Sequence, residues 1–205
     1  MTEATLHQGV AHLTTRDPDL AAIFARLGPP PLWAREPGFP ALVLIILEQQ
    51  VSLASARAAF DRLLAAASPL TPSTFLQLED ETLRAIGFSR QKASYSRQLA
   101  QAILDGHLDM AALATLPDAA ARAALVARKG IGPWTADIYL LMCLRRPDIW
   151  PVGDLGLLVA VQEIKGFDRR PTALEMEAIA APWRPWRAVA ARLLWHYYLH
   201  TRREK

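Results

Sequence analysis

Two short stretches hold residue types that could do chemistry. The first is RKGIGPWTAD, residues 128–137, which sets Arg128 and Lys129 before a Gly130-Ile131-Gly132 connection and then Pro133, Trp134 and Thr135. Glycine lets a backbone come close to another molecule. The Gly130 and Gly132 amides, at the N-terminal end of the helix that Pro133 opens, are placed to meet a phosphate, with basic charge nearby. The same spacing also serves a tight helix–helix turn, with Ile131 tucked inward. The second stretch is WPVGDLGLL, where Pro151 and Gly153 make an irregular loop that presents Asp154 at the start of a helix. An aspartate there is a standard N-cap, and it can also face a cleft as a fixed carboxylate.

Other candidates read as structural. His7, His12, His107, His196 and His200 have no carboxylate or cysteine at metal-ligand spacing. His196 and His200, four residues apart, read as surface positions of a terminal helix. Asp137 reads as a helix-surface or interhelical hydrogen-bonding group rather than a catalytic acid. Arg90 and Lys92, just after Gly87, read either as a second phosphate contact or as a solvated charged face. The one cysteine, Cys143, lies in the apolar run IYLLMCL and reads as a small buried thiol. A single cysteine excludes a disulfide framework and a cysteine-ligated cluster within the chain.

These groups must be positioned by helices. Alanine and leucine recur at three- and four-residue spacing, as in LRAIGFSRQKASYSRQLAQAIL, and alternating strand patterns are absent. Proline- and glycine-rich breakers at 28–40, 68–73, 116–118, 145–154, 169–171 and 181–185 leave room for about ten helices. DAAARAALVARKG reads as a helix with Asp118 near its N-cap and Gly130 in its C-terminal turn. Hydrophobic residues make up 52% of the 205, enough for a substantial core, and the net charge of +3 permits nucleic-acid binding without demanding it. The longest apolar run, FPALVLIIL, is about half a membrane span. The N-terminus lacks signal-peptide order, so a soluble cytoplasmic setting with no membrane contact is expected.

The run of an apolar residue between two glycines, with Thr135 and Ala136 following, together with Asp154 downstream, resembles the helix-hairpin-helix (HhH-GPD) DNA glycosylase superfamily. GIGPWTAD and the C-terminal PWRAVAARLLWHYY are similar to the branch of AlkA-like 3-methyladenine DNA glycosylases II. The resemblance covers roughly residues 40–200. Two departures stand out. The loop reads Val-Gly-Asp in place of Gly-Pro-Asp, and only about forty residues precede the shared core, too few for the β-rich N-terminal lobe of longer bacterial relatives.

The resemblance implies an all-α fold of two helical lobes with a DNA-binding cleft between them. One lobe would be residues 41–140, carrying the hairpin; the other would be 1–40 with 141–205, carrying the catalytic Asp154. It implies a monofunctional glycosylase of base-excision repair that flips alkylated purines such as 3-methyladenine and 7-methylguanine out of double-stranded DNA. Asp154 would stabilise the oxocarbenium-like sugar, and Trp134 and Trp195 would line the base pocket. Lys129, Gly130, Ile131, Gly132 and Thr135 would hold DNA, and Gln50, with Gln49 beside it, would fill the gap left by the flipped base. In members that also cut the backbone a lysine stands two residues after the second hairpin glycine. Here Trp134 stands there, so no lyase step is expected. The resemblance implies no cofactor and no side-chain metal site, only Na+ or K+ held by hairpin carbonyls, and a chain acting as a monomer. Two alternatives remain open on sequence: deaminated or oxidised bases as substrates, and a non-catalytic binder of distorted DNA.

Overall fold

The computed structural model describes residues 1–203. Among them every regular element is helical, with twelve α-helices where the breakers left room for about ten. Two of them are short, α5 (Pro72–Leu76), which starts inside the 68–73 breaker, and α6 (Asp80–Ile86), which runs into the LRAI stretch read as helical. The chain divides into two compact units, Arg35–Leu144 and Met1–Ala34 with Arg145 onward. The boundaries thus fall at 34/35 and 144/145 rather than at 40/41 and 140/141. Local bonds explain the shift at the first crossing. The Arg35 guanidinium grips the Glu48 carboxylate with two bonds (2.9 and 2.8 Å), its amide donates to Met142 O, and the Gly38 amide donates to the Tyr139 hydroxyl.

The central unit is built around α3 (Phe39–Glu48), the apolar run of the sequence. Seven of its ten residues are buried, as expected of a helix apolar on all sides. Around it pack α4 (Leu53–Ala66), α7 (Arg90–Leu104) and α9 (Pro133–Ile138), the last continuing as a π-helical turn over Tyr139–Cys143. Phe39, Phe75 and Phe88 stack in series, with ring centroids 5.7 and 5.8 Å apart. α8 (Asp118–Val126) starts one residue earlier than a cap at Asp118 would allow, because Pro117 is the N-cap and Asp118 the first helical residue. Asp137 is interhelical: buried on α9, it takes Arg122 of α8 at 2.6 and 3.2 Å.

In the other unit α12 (Arg187–Arg203) is the axis, against which α1 (Glu3–Thr14), α2 (Pro18–Leu27) and α10 (Leu155–Lys165) pack. Its residues 188–195 are all buried. α1 approaches closely through Gly9, where an added Cβ would lie 2.8 Å from Val189 and 2.9 Å from Trp186. Trp183 is a core residue that packs edge-on to Trp150 and donates its indole N–H to Asp17 (2.9 Å). α11 (Ala173–Ala180) lies between α10 and α12 in the chain. Among the described residues no helix is long and apolar enough to cross a membrane.

Cys143 is buried, and burial pushes its thiol up to about 12. The raised value removes the thiolate at pH 8. Iodoacetamide at that pH is therefore expected to leave Cys143 unlabelled in the native protein and to label it in denaturant, as intact mass will show.

Candidate functional site

The central unit holds the hairpin. Gly130 has φ +88°, a left-handed backbone that disfavours any side chain, and an added Cβ would sit 2.2 Å from Tyr95 Cγ. Both facts make this glycine a requirement of the fold. Gly132 differs. Its φ of −82° is ordinary and nothing lies within 4 Å of an added Cβ, so the fold does not need glycine there. Its bare backbone is free for close approach by another molecule. Ile131 is tucked inward, 3% exposed, with its amide bonded to Arg128 O (3.1 Å). Lys129 is exposed and Trp134 half-buried.

Two residues expected at the DNA surface serve the hairpin instead. Thr135 is 2% exposed, and its hydroxyl accepts from the Gln49 amide at 2.9 Å. The same Gln49 nitrogen donates to Gly130 O at 3.0 Å, so Gln49 braces the turn from inside. The reason is burial, since polar groups taken out of water need partners. Gln50 follows in the turn between α3 and α4, exposed and with φ +57°. Val51 and Leu53 beside it are 48% and 57% exposed, an apolar pair that the sequence reading passed over. Lys92 is half-buried rather than a plainly solvated charge. Its ammonium donates to Leu47 O (2.8 Å) and Gln49 O (2.7 Å), closing the C-terminus of α3, and burial lowers its pKa. A cation at the turn would draw on main-chain carbonyls. Gly130 O and Arg128 O already accept one bond each, and a carbonyl has a second lone pair to offer.

The other unit holds Asp154. It caps α10, its Oδ1 accepting the Leu157 amide at 3.0 Å, and the same oxygen accepts the Trp195 indole N–H at 2.9 Å. Gly156 makes room for this, because an added Cβ would lie 3.2 Å from Asp154 Oδ1 and 3.3 Å from Trp195. Trp195 is 8% exposed, so most of its ring is covered and its N–H orients the carboxylate. Trp33, which the sequence showed only as an aromatic in a proline-rich connection, packs edge-on to Trp195 (6.4 Å) and to His196 (6.5 Å). Arg192, fully buried, holds the strap that carries Trp33 by donating to Leu32 O (2.8 Å), and burial lowers its pKa to about 10. His196 is half-buried. Its Nδ1 is buried without a partner, and desolvation, then His200, lower its pKa and favour the neutral ring. Among the described residues no group of three or more His, Cys, Asp or Glu side chains could hold a metal ion.

The central unit thus carries a helix-hairpin-helix, and the other unit a loop-borne aspartate that caps a helix. The family model described as "HhH-GPD superfamily base excision DNA repair protein" matches residues 43–185. The chain belongs to the HhH-GPD superfamily. Among HhH-GPD relatives, a Bacillus subtilis DNA-3-methyladenine glycosylase is 32% identical over 119 residues, 58% of this chain and 39% of its own. The alkylbase DNA glycosidase-like protein mag2 of Schizosaccharomyces pombe is 26% identical over 191 residues, 90% of each chain. The solved structure of Schizosaccharomyces pombe 3-methyladenine DNA glycosylase (Mag1), in complex with abasic DNA, aligns with a TM-score of 0.87 at 25% identity, covering 92% of this chain and 95% of that one. The chain spans 64% and 39% of the length of two Bacillus subtilis relatives it matches.

The two hairpin glycines should separate under substitution. Gly130→Ala is expected to cost about 3 kcal/mol from left-handed strain and the clash with Tyr95. Gly132→Ala should change stability by less than about 0.5 kcal/mol. Urea unfolding midpoints at constant m test both.

Proposed function

We propose that the protein is a monofunctional DNA glycosylase that releases alkylated purines, 3-methyladenine and 7-methylguanine among them, from double-stranded DNA. The observation that carries this reading is the Asp154 carboxylate, whose Oδ1 is fixed by the Trp195 indole and the Leu157 amide together. Breaking the bond between the purine and C1′ sends the electron pair to the base and leaves an oxocarbenium-like sugar. A carboxylate held beside C1′ stabilises that cation and accepts a proton from the water that adds there. Glycosidases commonly use a second carboxyl to protonate the leaving group. A purine alkylated at N3 or N7 is already cationic and leaves as a neutral base, so one carboxylate suffices.

Trp134 stands where lyase-active members have lysine, so no amine forms a Schiff base with the abasic sugar at that position. Gln50, at an exposed turn with Val51 and Leu53, has the placement of a wedge that fills the stack after a base is flipped. The open backbone at Gly132, with Lys129 exposed beside it, suits a DNA phosphate. Na+ or K+ bound by the turn's carbonyls would add positive charge at that phosphate. Relatives named as 3-methyladenine glycosylases, and one of them solved with abasic DNA, support the substrate class.

Base release from N-methylated duplex DNA tests the reading. The wild type is expected to liberate methylpurines and to leave strands uncut until alkali is added. Asp154→Asn should lower release at least about a hundredfold while keeping affinity for abasic duplex. Release from oxidised or deaminated duplex alone would replace the substrate class. Equal binding by wild type and Asp154→Asn with no release by either would make the protein a binder of distorted DNA.

A further inference from the structure

The Gln50 turn and the hairpin are 80 residues apart in the chain, yet one side chain joins them. Gln49 closes α3. Its carbonyl takes the Lys92 ammonium at 2.7 Å, and its side-chain amide donates to Gly130 O at 3.0 Å and to Thr135 Oγ1 at 2.9 Å. Gly130 enters the hairpin turn and Thr135 lies in the first turn of α9, so one nitrogen ties both sides of the turn. On the other side of Gln49, the next residue adopts a left-handed backbone without being glycine. Such a conformation persists only where its surroundings over-determine it. The two Lys92 bonds and the two Gln49 bonds are those surroundings.

We propose that Gln49 is a positioning residue that makes the hairpin and the Gln50 turn one mechanical piece, so that seating the hairpin on the DNA backbone and inserting Gln50 into the stack are a single event. The proposal rests on the glycosylase reading above. Its chemistry is specific to a neutral amide. The Gln49 NH2 group has two donors for two acceptors, whereas glutamate would set an anion against the Gly130 carbonyl and leucine would leave both acceptors unmet. Thr135 is buried and Lys92 partly desolvated, so water competes poorly for these bonds.

Two measurements on Gln49→Leu test it. In the free protein, hydrogen exchange is expected to quicken both at the hairpin amides of residues 130–136 and at residues 50–52. With substrate, release of methylpurines from duplex should fall about tenfold more than release from single-stranded methylated DNA, where no stacked base has to be displaced. Gln49→Leu combined with Gln50→Ala should lose no more duplex activity than the worse single variant. If Gln49→Leu does not fold, Gln49→Asn, which keeps the amide but falls a methylene short, takes its place. Unchanged hairpin exchange overturns the coupling. Equal loss on duplex and single strand, or additive losses in the double variant, overturns its link to base displacement. A wild type that releases no base from either substrate overturns the glycosylase reading instead, and the exchange result then decides the coupling alone.

Discussion

One carboxylate oxygen organises half of the molecule. Asp154 Oδ1 accepts from the third residue of its own helix and from an indole 41 residues away. Capping and chemistry are therefore not competing roles for this side chain. The cap bond sets the carboxylate's height on α10, and the indole bond sets its rotation. The second bond exists only because α10 and α12 approach closely at Gly156, which leaves the space that Trp195 occupies. Trp195 in turn is braced by the Trp33 edge, and Trp33 by the strap that buried Arg192 holds at Leu32. Removing any link loosens the carboxylate, although only Asp154 would touch the reacting atoms.

The central unit follows the same rule with both charged and neutral groups. Several of its loops are held by polar partners distant in sequence: Lys92 on the end of α3, Gln49 on the hairpin, Tyr139 on Gly38, Arg122 on Asp137. A buried donor or acceptor left without a partner costs about 1–3 kcal/mol. Each such bond therefore fixes a loop as firmly as apolar packing fixes a helix. The loops at issue, the α3–α4 turn and the hairpin, are the ones that carry exposed Gln50 and open Gly132.

The helical class was legible because periodicity is local, and so were the hairpin and the capping aspartate, whose glycines and prolines are position-specific. Ile131 inward and Cys143 buried follow from the same local pattern. The partners of side chains were not legible. Gln49, Thr135 and Lys92 are polar residues beside a presumptive DNA surface in sequence, and composition gives no sign that their bonds run inward. Only the packing of α3 against α7 and α9 reveals it. Likewise Trp33 reads as one aromatic among prolines until the strap is folded onto α12, and His196 reads as surface until its ring meets Trp33. The short helix α5 was not legible because five residues carry too little periodicity to separate it from a capped turn.

In the proposed reaction, what Asp154 must do depends on the charge of the base that leaves. Asp154 Oδ1 accepts the neutral N–H groups of Leu157 and Trp195, and the rings of Trp195 and Tyr198 lie across Gly156. A neutral leaving purine would need a proton at the moment the bond breaks, and neither an indole nor a backbone amide is acidic enough to give one. A cationic purine needs none. It needs only that the positive charge moving from base to sugar stay matched by a fixed negative one, and that electron-rich rings tolerate the cation beforehand. An aspartate whose position is set by an indole meets the first condition by geometry, and the same indole ring contributes to the second. On the proposed reading, a cationic base is the leaving group that one fixed carboxylate can serve without an acid partner.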